Sequence, residues 1–148
     1  MFKHILVPTD GSRLSAKAVK VAAGLAKKLG AKVTGVYVIP PYVPPMYGEA
    51  AIYVPEVTPK RYKDLAEKEA KRALATVEIA AQLARVPCKT TWVTFDQAWD
   101  GITRTARSKK CDLIVMASHG RRGLAGLLLG SETTKVLTHS KIPVLVCR

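Results

Sequence analysis

The segment 113–131 joins a short apolar run to a loop that is rich in small residues. Its first part, Leu113 to Met116, is typical of a strand that is buried on both faces. The loop that follows contains four glycines, among them Gly120, Gly123 and Gly130, and two arginines, Arg121 and Arg122. Ser131 is predicted to cap the next helix. Because glycine lets backbone N–H groups approach an anion and a helix start supplies unpaired N–H groups, the segment indicates a phosphate site. A plain strand-to-helix connection is the alternative.

Two ionisable side chains near this segment are candidates for chemistry. His119 lies inside the loop, but no nucleophile or paired carboxylate is evident beside it in the sequence. We therefore expect it to order the loop through a hydrogen bond rather than to act as a catalytic base. Asp10 follows the first predicted strand, where a ligand contact and an Asx turn or helix cap are equally compatible with its position.

Alternating strands and helices are predicted to position these residues. Strands are expected at 5–8, 32–39, 88–95, 113–116 and 144–147. Helices are expected from Ser12 or Ser15 to 29 and at 60–84, 102–108 and 131–139, with a turn at 96–100. This alternation predicts right-handed crossovers and a parallel sheet. Ligands of such sheets bind at the carboxyl ends of the strands, where segment 8–12, Val38 and segment 117–131 are expected to share one edge.

Length and composition limit the class of protein. The chain of 148 residues predicts one domain over 1–148, and its hydrophobic content of 48% is enough for a core. No apolar run approaches the roughly 18 residues of a membrane span, and the predicted strand at Ile5 leaves no room for a signal peptide. Cys88, Cys111 and Cys147 have no metal-ligand spacing and are predicted to be buried free thiols. These features predict a cytoplasmic protein.

The formal net charge of +13 raises the question of nucleic-acid binding. The basic residues are spread along the predicted helices rather than clustered, and no recognised nucleic-acid motif accompanies them. We expect a basic surface that attracts polyanions non-specifically, without a dedicated nucleic-acid site.

The segment 40–59 differs from the rest of the chain because it contains six prolines and three tyrosines. It is predicted to be a mobile or partner-ordered loop, with a polyproline ligand motif as the alternative.

The chain resembles the universal stress protein family. Nucleotide-binding members carry Gly-x-x-Gly, nine residues and then Gly-Ser or Gly-Thr, which here correspond to Gly120, Gly130 and Ser131, with Ala117 at the first glycine position. The opening 5–12 and the closing 142–146 are also similar. The resemblance implies an α/β fold with one doubly wound, five-stranded parallel sheet, helices on both faces and strand order 3-2-1-4-5, of the adenine nucleotide alpha hydrolase-like type. The family usually has glycine where Asp96 lies, which puts the local backbone there in question.

The resemblance also implies an ATP site. Adenine is expected near Val38 with backbone contacts from Pro8 or Thr9, and the triphosphate along 117–123 and against the start of the last helix. Asp10 is expected to face the ribose and phosphates or a nucleotide-bound Mg or Mn ion, with no metal held by the protein alone. The predicted binding residues are Pro8, Thr9, Asp10, Val38, Ala117, Ser118, His119, Gly120, Arg121, Arg122, Gly123, Gly130, Ser131, Glu132 and Thr133.

Three functions remain open at this point. The resemblance favours an ATP-binding stress-response protein that acts as a nucleotide-dependent switch or partner module; a slow ATPase and a nucleotide-free interaction protein are the alternatives. No Walker-type Lys follows the glycines and no catalytic residue is expected, which argues against fast hydrolysis. Ala117 either strains the backbone, if its φ is positive, or only narrows the phosphate channel. A homodimer is expected through the last strand, formed by Val144, Leu145, Val146 and Cys147, because an apolar sheet edge needs cover.

Overall fold

The computed structural model describes residues 1–44, 57–121, 123 and 129–148. Within these ranges, five strands alternate with four helices. In chain order they are β1 (His4–Pro8), α1 (Arg13–Leu29), β2 (Lys32–Ile39), α2 (Pro59–Ala84), β3 (Cys88–Thr94), α3 (Ala98–Ser108), β4 (Leu113–Ala117), α4 (Ser131–His139) and β5 (Val144–Cys147). Most of these bounds agree with the hydrophobic periodicity to within one residue.

The strands form one parallel sheet in the order β3-β2-β1-β4-β5. This result confirms the predicted doubly wound order. One apolar cluster, which contains Ile5 and Val7, packs under α1 and α2, whereas Leu6 belongs to a second cluster under α3 and α4. Successive strand residues point to opposite faces, so helices on both faces explain why β1 is continuously apolar.

Hydrogen bonds connect the three central strands near the ends at which these strands begin. Ile5 of β1 pairs with Val33 of β2 on one side and with Leu113 of β4 on the other. The Asp112 carboxylate accepts hydrogen bonds from the backbone N–H groups of Lys3 (2.8 Å) and His4 (2.9 Å). These bonds fix the start of β1 against the start of β4, although more than a hundred residues separate them in sequence.

Two helix starts correct the sequence-based expectations. α3 begins at Ala98, inside the predicted turn 96–100 and four residues before the predicted start. The first turn of α3 is stabilised by α4, because the Trp99 N–H donates to the Glu132 carboxylate at 2.8 Å. Ser131 is not the N-cap of α4: Gly130 holds that position, with extended backbone and no side-chain cap. Asp96 has no positive φ, so the glycine that the family pattern suggests there is not required by the backbone.

The cysteines and the segment 40–59 follow their predictions only in part. All three cysteines are free thiols, but only Cys111 is buried, whereas Cys88 and Cys147 are half-buried. Burial raises the pKa of all three thiols, that of Cys111 to about 11.

At the ends of the proline-rich segment, the Tyr42 hydroxyl donates to the Val57 carbonyl at 2.8 Å. The expected mobile loop otherwise falls on residues 45–56, which lie outside the described ranges.

No helix in the described ranges is long and apolar enough to cross a membrane.

Candidate functional site

The backbone opens a crevice where the strand order reverses between β1 and β4. Beyond the end of β1, the Thr9 N–H donates to the Val36 carbonyl of β2 at 3.0 Å. Beyond the end of β4, the Ser118 N–H donates to the Cys147 carbonyl of β5 at 2.7 Å. The two central strands therefore continue toward opposite neighbours, and the gap that opens between them is the place where doubly wound sheets bind ligands.

The turn after β1 forms one wall of this crevice. The Ser12 N–H donates to Asp10 Oδ1 at 2.9 Å, which is the Asx turn that the sequence left as an alternative. The turn needs glycine at position 11, where φ is +78°. Thr9 Oγ1 lies 3.2 Å from Ser15 Oγ and accepts the Gly11 N–H at 3.2 Å, so the wall is held by short-range hydrogen bonds.

Asp10 also connects this wall to the glycine-containing loop. Its Oδ2 accepts the backbone N–H of Arg121 at 2.7 Å. Burial alone would raise the pKa of this carboxyl, but the hydrogen bonds from Ser12 and Arg121 outweigh burial, and the pKa is lowered. A Cβ on Gly120 would lie 2.9 Å from Asp10 Oδ2, so glycine permits the close approach. Asp10 is therefore an ionised bridge across the crevice.

Arg121 extends this bridge to α2. Its guanidinium forms an ion pair with the Glu69 carboxylate, and the hydrogen bond from Arg121 lowers the pKa of Glu69. The guanidinium lies over the turn, since a Cβ on Gly11 would come within 2.8 Å of it. Glu69 is not predicted from the sequence, because nothing in the charge pattern of α2 distinguishes it from its acidic neighbours.

The two ends of the loop are in direct contact at Ser118 and Gly130. The Gly130 N–H donates to the Ser118 carbonyl at 2.7 Å, and a Cβ on Gly130 would lie only 3.2 Å from that oxygen. His119 Nδ1 lies 3.1 Å from Ser118 Oγ, which is a loop-ordering contact of the expected kind. The buried Nε2 of His119 has no hydrogen-bond partner within the part of the chain that the structure describes.

The start of α4 supplies the N–H groups that best suit an anion. A helix leaves its first N–H groups without intrahelical partners, and Gly130 has no side chain to accept one of them. By contrast, the N–H groups of Arg121, Gly123 and Gly130 already donate within the protein. The Thr133 hydroxyl donates to the Ala117 carbonyl at 3.0 Å and so fixes this helix start to the end of β4.

Three of the predicted binding residues direct their side chains into the protein or toward neighbouring residues. Val38 faces α3, because a Cβ on Gly101 would lie 2.9 Å from Val38 Cγ2. The Glu132 carboxylate is turned toward Trp99 and Lys135, and the Thr133 side chain is buried. The structure thus brings Thr9, Asp10, Ala117–Arg121 and Gly130–Thr133 to one edge, with the end of β1 at Pro8 beside them. Arg122 lies outside the described residues.

Ala117 has an ordinary backbone. It is the last residue of β4, it is buried, and it is not among the described non-glycine residues with positive φ. Alanine at position 117 therefore causes no backbone strain, and only its methyl group distinguishes this position from the family pattern.

Comparison with known proteins places the chain among its relatives. The model of the universal stress protein family matches residues 1–148. The chain belongs to the universal stress protein family. A universal stress protein of Methanocaldococcus jannaschii is 35% identical over all of this chain and 83% of its own length. Another, YxiE of Bacillus subtilis, is 34% identical over the full length of both chains. The fold is accordingly of the adenine nucleotide alpha hydrolase-like type.

A solved structure of a universal stress protein in complex with cAMP is 26% identical to this chain. The alignment covers 99% of this chain and 97% of that one, with a TM-score of 0.72.

Proposed function

We propose that this universal stress protein binds ATP in the crevice between β1 and β4 and acts as a nucleotide-dependent switch or partner module in the cytoplasm. The observation that carries the proposal is the divergence of the two central strands beside the uncapped start of α4. The similar structure that contains cAMP supports an adenine nucleotide as the ligand.

The arrangement of donors indicates how the phosphates would be held. Ser131, Glu132 and Thr133 offer the backbone N–H groups of a helix start, and the exposed Ser131 hydroxyl adds another donor. The described loop residues Ala117–Arg121 lie beside them, where Gly120 keeps side-chain atoms out of the way. We expect adenine near Val38 at the end of β2, with backbone contacts from Pro8 or Thr9.

Asp10 is the feature that suits a divalent cation. Its carboxylate remains ionised at neutral pH, so it would repel phosphate oxygens unless a positive charge lay between them. A Mg or Mn ion that arrives with the nucleotide would supply that charge. No group of three or more possible metal-ligand side chains occurs in the described ranges, so the cation is proposed to depend on the nucleotide.

We expect little or no ATPase activity. His119 is the only histidine in the predicted set, and its Nδ1 already lies beside Ser118. No Walker-type Lys follows the glycines to stabilise the charge of the transition state. A turnover of about 1 per second or more that is abolished by changing His119 would show an enzyme instead.

Calorimetric titration of ATP, with and without Mg, tests the site. Gly120→Val and Gly130→Val should abolish binding, because a side chain would meet Asp10 in the first case and the Ser118 backbone in the second. Ser131→Ala should cost about 1 kcal/mol, since the helix N–H groups remain. Ala117→Gly should bind equally well or more tightly.

Gly24→Ala is the matched control, because a Cβ at that position meets nothing within 4 Å. Each variant is first checked for folding by circular dichroism. If both valine variants fold and bind ATP like the wild type, the site is wrong. If the wild type binds no nucleotide while Ala117→Gly does, the protein is the nucleotide-free interaction protein of the alternative.

We also propose a homodimer through β5. This strand lies at one edge of the sheet, and Leu145 within it is 40% exposed. Pairing of β5 with its own copy about a two-fold axis would cover the open backbone edge. Light scattering at micromolar concentration should give twice the chain mass. A monomer mass, or an unchanged dimer mass after Val146→Pro, would contradict the proposal.

A further inference from the structure

The outer surface of α1 and α2 contains an open apolar groove whose lining includes none of the predicted nucleotide-binding residues. Its volume is about 520 Å³, and it lies between the segment 16–27 of α1 and the segment 76–84 of α2. Its α2 wall begins at position 76, which is about 10 Å along the helix from Glu69 at a rise of 1.5 Å per residue. Thr9, Asp10 and Ser131 do not line this groove, so its lining can be changed without altering a predicted nucleotide-binding residue.

Two large aliphatic side chains project from the α2 wall. Ile79 is 57% exposed and Leu83 is 81% exposed, one helical turn apart on the same face. The packed stripe of α2 is a different one, which includes Val77 and Ala81. Single exposed aliphatic residues are ordinary on a protein surface, whereas this aligned pair lies beside the groove and extends its apolar surface.

The groove is shaped to receive a ridge. Small residues are among those that line it, including Ala23, Gly24 and Ala80, and a Cβ on Gly24 would have no described atom within 4 Å. A row of side chains from a third helix can enter such a concave surface. A lipid bilayer, by contrast, presents a flat surface that would contact the rims alone.

Charge identifies the kind of partner. Among the residues that the structure describes, the groove is lined by Lys20 and Lys27 and by no acidic side chain, and the sequence of α1 contains five basic residues and no Asp or Glu. A second copy of the chain would bring the same lysines and a net charge of +13. An acidic segment would pair with the lysines, and its approach would be accelerated by the positive field.

We propose that the groove between α1 and α2 docks an acidic amphipathic helix of a partner protein. The apolar ridge of that helix lies against Ile79 and Leu83, and its carboxylates face Lys20 and Lys27. This is the helix-in-groove mode of recognition, in which apolar anchors give affinity and flanking charges give orientation. The partner module of the proposed function thereby acquires a specific surface.

Fluorescence anisotropy with a synthetic peptide tests the proposal. The probe is a labelled helix of about five turns with leucines on one face and glutamates elsewhere, and the control peptide has lysines in place of the glutamates. The acidic peptide should bind and the basic one should not. Leu83→Ser and the double variant Lys20→Glu/Lys27→Glu should each weaken binding by about tenfold or more.

Two exposed positions outside the groove provide matched controls. Leu65 of α2 is 55% exposed, and Lys28 follows Lys27 on α1 but does not line the groove. Leu65→Ser and Lys28→Glu should leave the affinity unchanged within about twofold. Because Leu83 is exposed, its substitution should not unfold the protein, which circular dichroism checks.

Several results would overturn the proposal. They include equal binding of both peptides, no binding of the acidic peptide, or binding that survives the Leu83 and lysine substitutions. Vesicles of phosphatidylglycerol that bind the wild type but not Leu83→Ser, while the acidic peptide fails to bind, would show a lipid surface instead. A mass that Leu83→Ser halves in light scattering would assign the groove to a second copy. ATP titration of Leu83→Ser should match the wild type, so failure here does not depend on the nucleotide site.

Discussion

Substituting alanine for Gly35 tests how closely α2 is held against the sheet. Gly35 lies in β2, and a Cβ at this position would lie 3.1 Å from Cγ1 of Val77 and 3.2 Å from its Cβ and Cγ2. Val77 is buried in the centre of α2 and is only 1% exposed. These distances are shorter than the roughly 3.5–4.0 Å at which carbon atoms attract each other. Gly35→Ala must therefore push α2 away from the sheet.

The expected magnitude follows from two opposing effects. Overpacking a close-packed core costs about 1–3 kcal/mol, whereas alanine gains about 0.5–1 kcal/mol over glycine inside a strand. We expect Gly35→Ala to lower the free energy of unfolding by about 1 kcal/mol. Val77→Ala alone should lower it by about 2–3 kcal/mol, because it leaves a cavity. In the double variant the new methyl group enters that cavity, so the total loss should be about 2 kcal/mol.

Urea denaturation followed by tryptophan fluorescence measures these free energies, and circular dichroism checks that both probes give one transition. Gly24→Ala is the control, because a Cβ there meets no neighbour, and it should stabilise the exposed helix by up to about 1 kcal/mol. If the losses of the two single variants add in the double variant to within about 0.5 kcal/mol, the contact between Gly35 and Val77 does not limit the approach of α2.

Three further predictions concern ionisable side chains. Because the pKa of Asp10 is lowered, its carboxylate stabilises the fold at pH values above the ordinary pKa of 3.8, and this stabilisation is lost as the pH falls below that value. Asp10→Asn should therefore reduce the loss of the free energy of unfolding at acid pH. Burial and Lys32 lower the pKa of His4, so the stability of the fold should fall as the pH drops below 6.5. Thermal melts at a series of pH values should show that His4→Gln lacks this loss of stability. With a pKa of about 11, Cys111 should be the last thiol that iodoacetamide labels in the folded protein, as peptide mass mapping would reveal.

Local sequence patterns predict the elements of this fold well because the signals are short-range. The start of α1 follows from Ser12, whose hydroxyl accepts the Ser15 N–H, and its end follows from Gly30, which adopts a φ of 61°. The apolar runs of β1 and β4 predict their burial because helices cover both faces of the sheet. The strand order came from the resemblance to a family and not from these patterns.

The contacts that shape the crevice were not predictable in the same way. The Asx turn at Asp10 is visible in the sequence, but its second hydrogen bond, to Arg121, joins residues 111 positions apart. The ion pair between Arg121 and Glu69, and the support that Glu132 gives to the start of α3, likewise depend on which helices the fold brings together. The helix over 131–139 was predicted, but Ser131 was wrongly taken as its cap, because the hydrogen bond that holds Gly130 against the Ser118 carbonyl is not visible in the sequence.

During synthesis β1 leaves the ribosome long before the strand that covers its second edge. β2 follows after one helix, but β4 and the Asp112 carboxylate that ties it to Lys3 and His4 come near the end of the chain. At about 5–20 residues per second, residue 117 follows residue 8 by roughly 5–20 s. Throughout this interval Ile5, Leu6 and Val7 belong to a strand with an unpaired edge, which is a template for aggregation. The nascent chain is therefore most vulnerable at a central strand whose residues Ile5, Leu6 and Val7 are fully buried in the finished fold.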